Sequence, residues 1–245
     1  MIKYNCCLCR KNEEAISEFA GTTQKSFKGD IDIMETSNKN EITNLVKVRG
    51  RLVRSFGYSH TYCKKNYYKA VIEVERFFGM GDESDYIPVI AEEAVISQIE
   101  EIGTQKLQVE GALIKYSPKM QEKKPFVYLY AKDISIASEE KRYHSNVQVK
   151  LKGRVCSKPF YKQTYSGKHL VNFLLEVERP GAPFNRDYIP CILWGRLARF
   201  ARICLEEGDE VTVERGWIQS RKYKKRIAGE LVTKEVIEVV IESFS

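Results

Sequence analysis

Histidine is scarce in this chain: three in 245 residues, His60, His144 and His169. Each falls in a predicted loop or hairpin, and none forms a nucleophile–base arrangement. A phosphate-binding loop, a zinc-protease helix and a nucleophile elbow are also missing. Carboxylates such as Glu206, Glu207, Asp209 and Glu210 crowd a predicted helix end rather than a groove. No enzyme and no cofactor are expected from such a sequence. Long apolar runs are lacking too, which excludes a membrane-spanning helix. The opening "MIKYNCCLCRKNEEA" has no apolar segment of the kind that directs secretion. A cytoplasmic protein without membrane contact is the expectation. Cysteine is present seven times, an odd number without regular spacing, which fits a reducing compartment rather than a disulfide framework. The one weak metal candidate joins Cys6-x-x-Cys9 to His60-x-x-Cys63, two ligand pairs about fifty residues apart. Free thiols are the plainer reading.

What is present is positive charge, unevenly placed. The net charge is +7, but residues 1–43 carry −1, residues 44–140 carry 0 and residues 141–245 carry +8. A field concentrated in the last hundred residues favours a polyanion there, although a solvated lysine-rich face would have the same composition. The chain also repeats itself. "NLVKVRGRLV" (44–53) matches "NVQVKLKGRV" (146–155) with Gly50 on Gly153. "EVER" recurs at 73–76 and 176–179, "DYIP" at 85–88 and 187–190, and "LQVEGALI" (107–114) matches "VTVERGWI" (211–218). Four matches in one order, at nearly constant offset, indicate a duplicated module of about one hundred residues. The modules span 44–137 and 146–245, joined by the polar "SEEKRYHSN" (138–146), and residues 1–43 form an N-terminal extension or tether.

Within the second module the pattern is mostly strand. Residues 147–156 alternate, 160–168 hold a hairpin turn at "YSGK", and 170–177 and 187–194 are apolar and β-branched. "GRLARFARICLEEGD" has helical apolar spacing at Leu197, Phe200, Ala201 and Cys204, with Gly208 as its stop. Strands at 211–223 and 231–241 follow. Five strands with a helix between the third and fourth is the order of an OB-fold, so the expected architecture is all-β with minor α: two tandem five-stranded OB-fold barrels.

The strand "DYIPCILW" raises a question of its own. Ile189, Cys191 and Leu193 share one face and suffice for a core; Tyr188, Pro190, Ile192 and Trp194 share the other. In "GWIQSRKY", Trp217, Gln219, Arg221 and Tyr223 share a face while Ile218 and Ser220 are expected to point inward. Flat rings at intervals with cations between them suit unstacked bases and their phosphates. Lys222, Arg154 and Arg196 extend the charge, and the hairpin adds Lys158, Tyr161, Lys162, Tyr165 and Lys168. In the first module Glu92 stands where Trp194 would be, Tyr86 remains opposite Tyr188, and "YCKKNYYK" (62–69) keeps a basic aromatic hairpin. That module either binds weakly or serves pairing between subunits.

"IPCILWGRLARFARICLEEGDEVTVERGWIQSRKY" (189–223) resembles the central part of bacterial single-stranded DNA-binding proteins, and "NVQVKLKGRV" resembles that family's opening strand. The resemblance implies an OB-fold that binds single-stranded DNA, with the base-stacking aromatics falling on Tyr188, Trp194 and Tyr223. A further family aromatic finds only Phe184 as a substitute, and Pro190 departs from the pattern, so strand pairing there is expected to be disturbed. The family's acidic tail is not seen after "IESFS". Because the family commonly presents four OB-folds together, a homodimer is implied, with replication or recombination proteins as further partners. Two other readings stand beside DNA binding: a single-stranded RNA binder, since stacking does not distinguish sugars, and a primosome-like accessory protein whose OB-folds chiefly hold other proteins.

Overall fold

The computed structural model describes residues 43–76, 84–99, 105–116, 126–137, 146–180, 182–227 and 230–245. The elements run β1 (Asn44–Tyr62), β2 (Lys65–Glu75), β3 (Ser84–Glu92), α1 (Glu93–Ile96), β4 (Lys106–Tyr116), β5 (Phe126–Ile136), β6 (Val147–Val155), β7 (Phe160–Gln163), β8 (His169–Arg179), β9 (Ala182–Trp194), α2 (Gly195–Cys204), β10 (Glu210–Ile227) and β11 (Glu230–Phe244). Among the described residues no helix is long and apolar enough to cross a membrane.

Strand pairing closes twice. β1 pairs β2, β2 pairs β3, β3 pairs β5, β5 pairs β4, and β4 returns to β1. In the second half β6, β8, β9, β11 and β10 close in the same way, with β7 added outside β8. Each circuit is a five-stranded barrel, and the tandem OB-fold architecture is what the alternation and the repeat together require. One parallel ladder occurs in each, β3–β5 and β9–β11, and it begins at the residue after Pro88 or Pro190. Proline has no ladder donor, so the same residue limits the pairing at the same place in both copies. Antiparallel pairing with β2 and β8 continues straight through both prolines.

Inward-facing residues recur with period two. Val171, Phe173, Leu175 and Val177 on β8, and Ile189, Cys191 and Leu193 on β9, are 5% exposed or less. Burial raises the Cys191 thiol pKa, so it behaves as a small apolar group. α2 adds buried Ala198 and Ala201 to this core. The helix ends at Cys204, earlier than the predicted stop at Gly208, because Leu205 already has extended backbone.

The two barrels meet through β1 and β6, which pair antiparallel so that Val46 faces Val149, its own counterpart in the repeat. That register makes the junction a local two-fold, and the repeated motifs serve it. Asp85 and Asp187, the first residues of the two "DYIP" copies, are 2% and 0% exposed. Each holds the arginine that ends "EVER": Arg76 Nη2–Asp85 Oδ1 is 2.8 Å, and Arg179 Nη2–Asp187 Oδ1 is 2.6 Å. Each also accepts a backbone N–H from the opposite barrel, Asp85 from Ser220 at 2.7 Å and Asp187 from Lys115 at 2.8 Å. The arginines then donate to the carbonyls of those same residues. A buried carboxylate needs such partners to remain charged, and here the partners belong to both halves. Ser220 therefore faces the other barrel, not its own interior as its position in the strand suggested.

The repeat also needs one correction. Pairing puts Gly111 opposite Ala131 and Gly216 opposite Ile241, which are equivalent positions, because β10 carries a bulge around Arg215. A Cβ on Gly111 would lie 1.9 Å from the Tyr130 carbonyl oxygen, and one on Gly216 would lie 2.6 Å from that of Val240. Only glycine permits this approach. The counterpart of Trp217 is accordingly Ala112, one residue away from the ungapped match.

Candidate nucleic-acid interface

The outer face of the second barrel is built from a single row that crosses five strands. Phe160 on β7 faces Asn172 on β8, Asn172 faces Ile192 on β9, Ile192 faces Val240 on β11, and Val240 faces Trp217 on β10. Trp194 stands one step along β9, opposite Leu170. Leu170, Ile192 and Val240 form a small apolar cluster on which both indoles pack. Ile192 and Val240 are each 1% exposed although they point away from the barrel interior. Both rings are half-buried: Trp194 rests on this outer cluster, and Trp217 packs on it and on the main core as well. Ile192 answers the question posed by its strand: the second face partly covers itself.

Local geometry aims these rings. Trp194 ends β9 with extended backbone, and Gly195 follows at φ +58, a left-handed conformation that starts α2 without a bulky side chain at the bend. Arg196 is exposed in the first turn of that helix. Tyr188 and Tyr223 are each 37% exposed. Tyr188 lies at the barrel junction with the Lys115 ammonium 5.4 Å from its ring centre, and Tyr223 has the Arg221 guanidinium at 5.5 Å. Arg221 is not a free cation. Its Nε donates to Glu238 Oε1 at 3.0 Å, and Glu238 is 4% exposed. The guanidinium neutralises a buried carboxylate, so charge toward solvent rests with Lys222, Lys224 and Arg226, all exposed.

The hairpin residues divide. Lys158, Lys162, Lys168 and Tyr165 are exposed. Tyr161 turns the other way: its hydroxyl meets His169 Nδ1 at 2.5 Å, and Arg202 of α2 lies 4.4 Å from its ring centre. By the strand's period of two, the outward ring is Phe160, which is 63% exposed. Sequence reading missed Phe160, though its alternation with Tyr161 carried the signal. Arg154 stands apart from the row on β6, opposite Glu210 and 4.0 Å from its carboxylate. Tyr86, 43% exposed, sits at the junction: its backbone N–H donates to Ser220 Oγ at 2.8 Å and its hydroxyl to Glu73 at 3.2 Å. The Phe184 side chain lies outside the described parts of the chain.

The matching face of the first barrel has a different chemistry. Its row is Lys69, Ile90, Tyr130 and Ala112. Glu92, in the place of Trp194, accepts from the Tyr130 hydroxyl at 2.6 Å and from Lys65 at 2.8 Å. Those hydrogen bonds, Lys65 first, hold the Glu92 carboxyl below its ordinary range. Burial, and then the bond to Glu92, drives the Tyr130 hydroxyl strongly upward. Lys69 lies 5.0 Å from the Tyr128 ring centre, and His60 stacks on Tyr67 at 4.9 Å. The rings at Phe126, Tyr128 and Tyr130 were not singled out in the sequence; the alternating "FVYLY" was their signal.

Of the metal candidates, Cys6 and Cys9 lie outside the described residues. Cys63 is exposed at a hairpin tip with φ +48, and His60 Nδ1 contacts Ser59 Oγ at 3.1 Å. Among the described residues no group of three or more His, Cys, Asp or Glu side chains is placed to hold a metal ion.

Comparison with known proteins adds four findings. Residues 147–245 match the single-strand binding protein family. The fold is similar to that of the wild-type single-stranded DNA binding protein from Thermus aquaticus, with a TM-score of 0.61, 19% identity, and 82% of this chain and 91% of that chain covered. A deletion mutant of the same protein aligns with a TM-score of 0.62 and 20% identity over 82% of this chain and 93% of that one. No curated protein matches the chain in sequence.

Proposed function

Because residues 147–245 match the single-strand binding protein family, we propose that this chain is a non-enzymatic binder of single-stranded DNA that acts without sequence preference, chiefly through the outer face of its second barrel. The observation that carries this reading is the row from Phe160 to Trp217 with Trp194 beside it: two indoles on an aliphatic floor and an exposed phenyl ring at its edge, each with surface left for a base. A stacked base contributes about 1–3 kcal/mol. A lone exposed ion pair contributes about 0–1 kcal/mol. Rings therefore set affinity, and Lys158, Lys162, Lys168, Lys222 and Arg196 set its salt dependence. Tyr188, Tyr223 and Tyr165 extend the path. The first barrel contributes weakly, through its hairpin and Tyr86. The functional domains are 44–137 and 146–245, and two chains associate so that four barrels act together.

The test is a titration of tryptophan fluorescence with oligo-dT at several salt concentrations. Trp194 and Trp217 are the two tryptophans of the chain, and both are expected to be quenched. The log–log salt slope should be about −0.7 per phosphate neutralised. Absence of quenching at low salt would reject the proposal. Competition with oligo-U separates DNA from RNA, and light scattering that gives a monomeric mass would remove the dimer.

A further inference from the structure

The row across the second barrel contains one residue that neither packing nor charge explains. Asn172 stands second in it, between Phe160 and Ile192, and its near neighbours on that face, Leu170 and Ile192, are apolar. Its Oδ1 is buried and has no hydrogen-bond partner among the described residues. An amide oxygen left in this state is destabilising relative to one that is satisfied. A leucine at the same point would complete the floor. The counterpart in the first barrel is Lys69, a long side chain that reaches Tyr128, so the fold itself does not require an amide there.

From this we infer that Asn172 takes the Watson–Crick edge of one unpaired base, while the ring of that base stacks against Phe160. The inference rests on the proposed binding of single strands and names the polar contact within that site. The chemistry fits: Oδ1 needs an N–H donor, and every base carries one on that edge, as the ring N–H of thymine and guanine or the amino group of adenine and cytosine. A single contact of this kind is compatible with binding that ignores sequence. It is not compatible with a paired base, whose edge is already used, so it discriminates against duplex at that position. The site can open, because β7 is a four-residue strand that pairs only with β8. A base entering beside Phe160 therefore displaces an edge strand, not the barrel wall.

The experiment compares oligo-dT with an oligomer of N3-methylthymidine, in which the donor is replaced by a methyl group and the stacking face is kept. Wild type should bind the methylated oligomer roughly tenfold more weakly, the equivalent of about 1.4 kcal/mol. Asn172→Leu should bind both oligomers equally, near the methylated value, and should melt no earlier than wild type because no internal hydrogen bond is lost. Wild type binding both oligomers equally would overturn the inference and leave the proposed function standing. Failure to bind oligo-dT at all would overturn both. The wild-type comparison needs no variant to fold.

Discussion

The two barrels share a backbone plan and differ along the outer face that the proposed function assigns to DNA. Trp194, Leu170, Asn172, Val240 and Trp217 of the second barrel correspond to Glu92, Tyr67, Lys69, Tyr130 and Ala112 of the first. Aromatic content is not what separates them. The second barrel has rings at the edges of an aliphatic floor, with exposed surface. The first has Tyr130 in the middle of its floor, tied to a carboxylate that also holds Lys65. A ring held within the floor offers little surface for stacking, and a carboxylate beside it repels phosphate. Similar aromatic means give opposite suitability.

The largest effect should come from the junction, where the barrels behave alike. Asp187→Ala leaves Arg179 and the Lys115 N–H without their shared acceptor, and Asp85→Ala does the same to Arg76 and the Ser220 N–H. Breaking a buried pair of this kind costs about 3–5 kcal/mol, and thermal or denaturant unfolding should show losses of similar size for both. A large loss from one and none from the other would break the two-fold symmetry of the clamp.

Next in size is the contrast between the faces. Trp194→Ala should weaken oligo-dT binding by about 1–3 kcal/mol, the value of one stacked base. Glu92→Gln, which keeps the shape and removes the charge, should strengthen it by less than about threefold at low salt and not at all at high salt. Equal losses from both variants in a fluorescence or anisotropy titration would mean that the first barrel also binds through this face.

The smallest effect is one of pH. The Glu92 carboxyl is held below its ordinary value by Lys65 and Tyr130. Its network therefore contributes stability above the unfolded pKa, about 4.3, and loses it as pH falls through the lower folded value. Tyrosine signals of the first barrel should change in that window, while the indole signals of the second, which has no titrating group at that position, should not. A change in both at once would point to global acid unfolding.

Much of this was legible before any coordinates. The "EVER" and "DYIP" repeats marked two copies, and alternation marked their strands. Trp194, Trp217 and Tyr223 could be assigned to an outer face. The purpose of the repeated Arg and Asp was not legible, because their partners lie in the other module, on Ser220 and Lys115. Phe160 was passed over for Tyr161, since a four-residue strand does not reveal which parity faces the core until its partner is known. The bulge at Arg215 displaced the counterpart of Trp217 by one residue, and an ungapped repeat contains no sign of it.

By itself the sequence determined the duplication, the barrel class and the concentration of positive charge in the second half, because these follow from local periodicity and composition. Tertiary structure alone decided which rings stand free, that Arg221 neutralises Glu238, and that an unsatisfied amide lies in the floor. Those outcomes depend on register between strands far apart in the chain, where a slip of one residue exchanges the two faces of a strand.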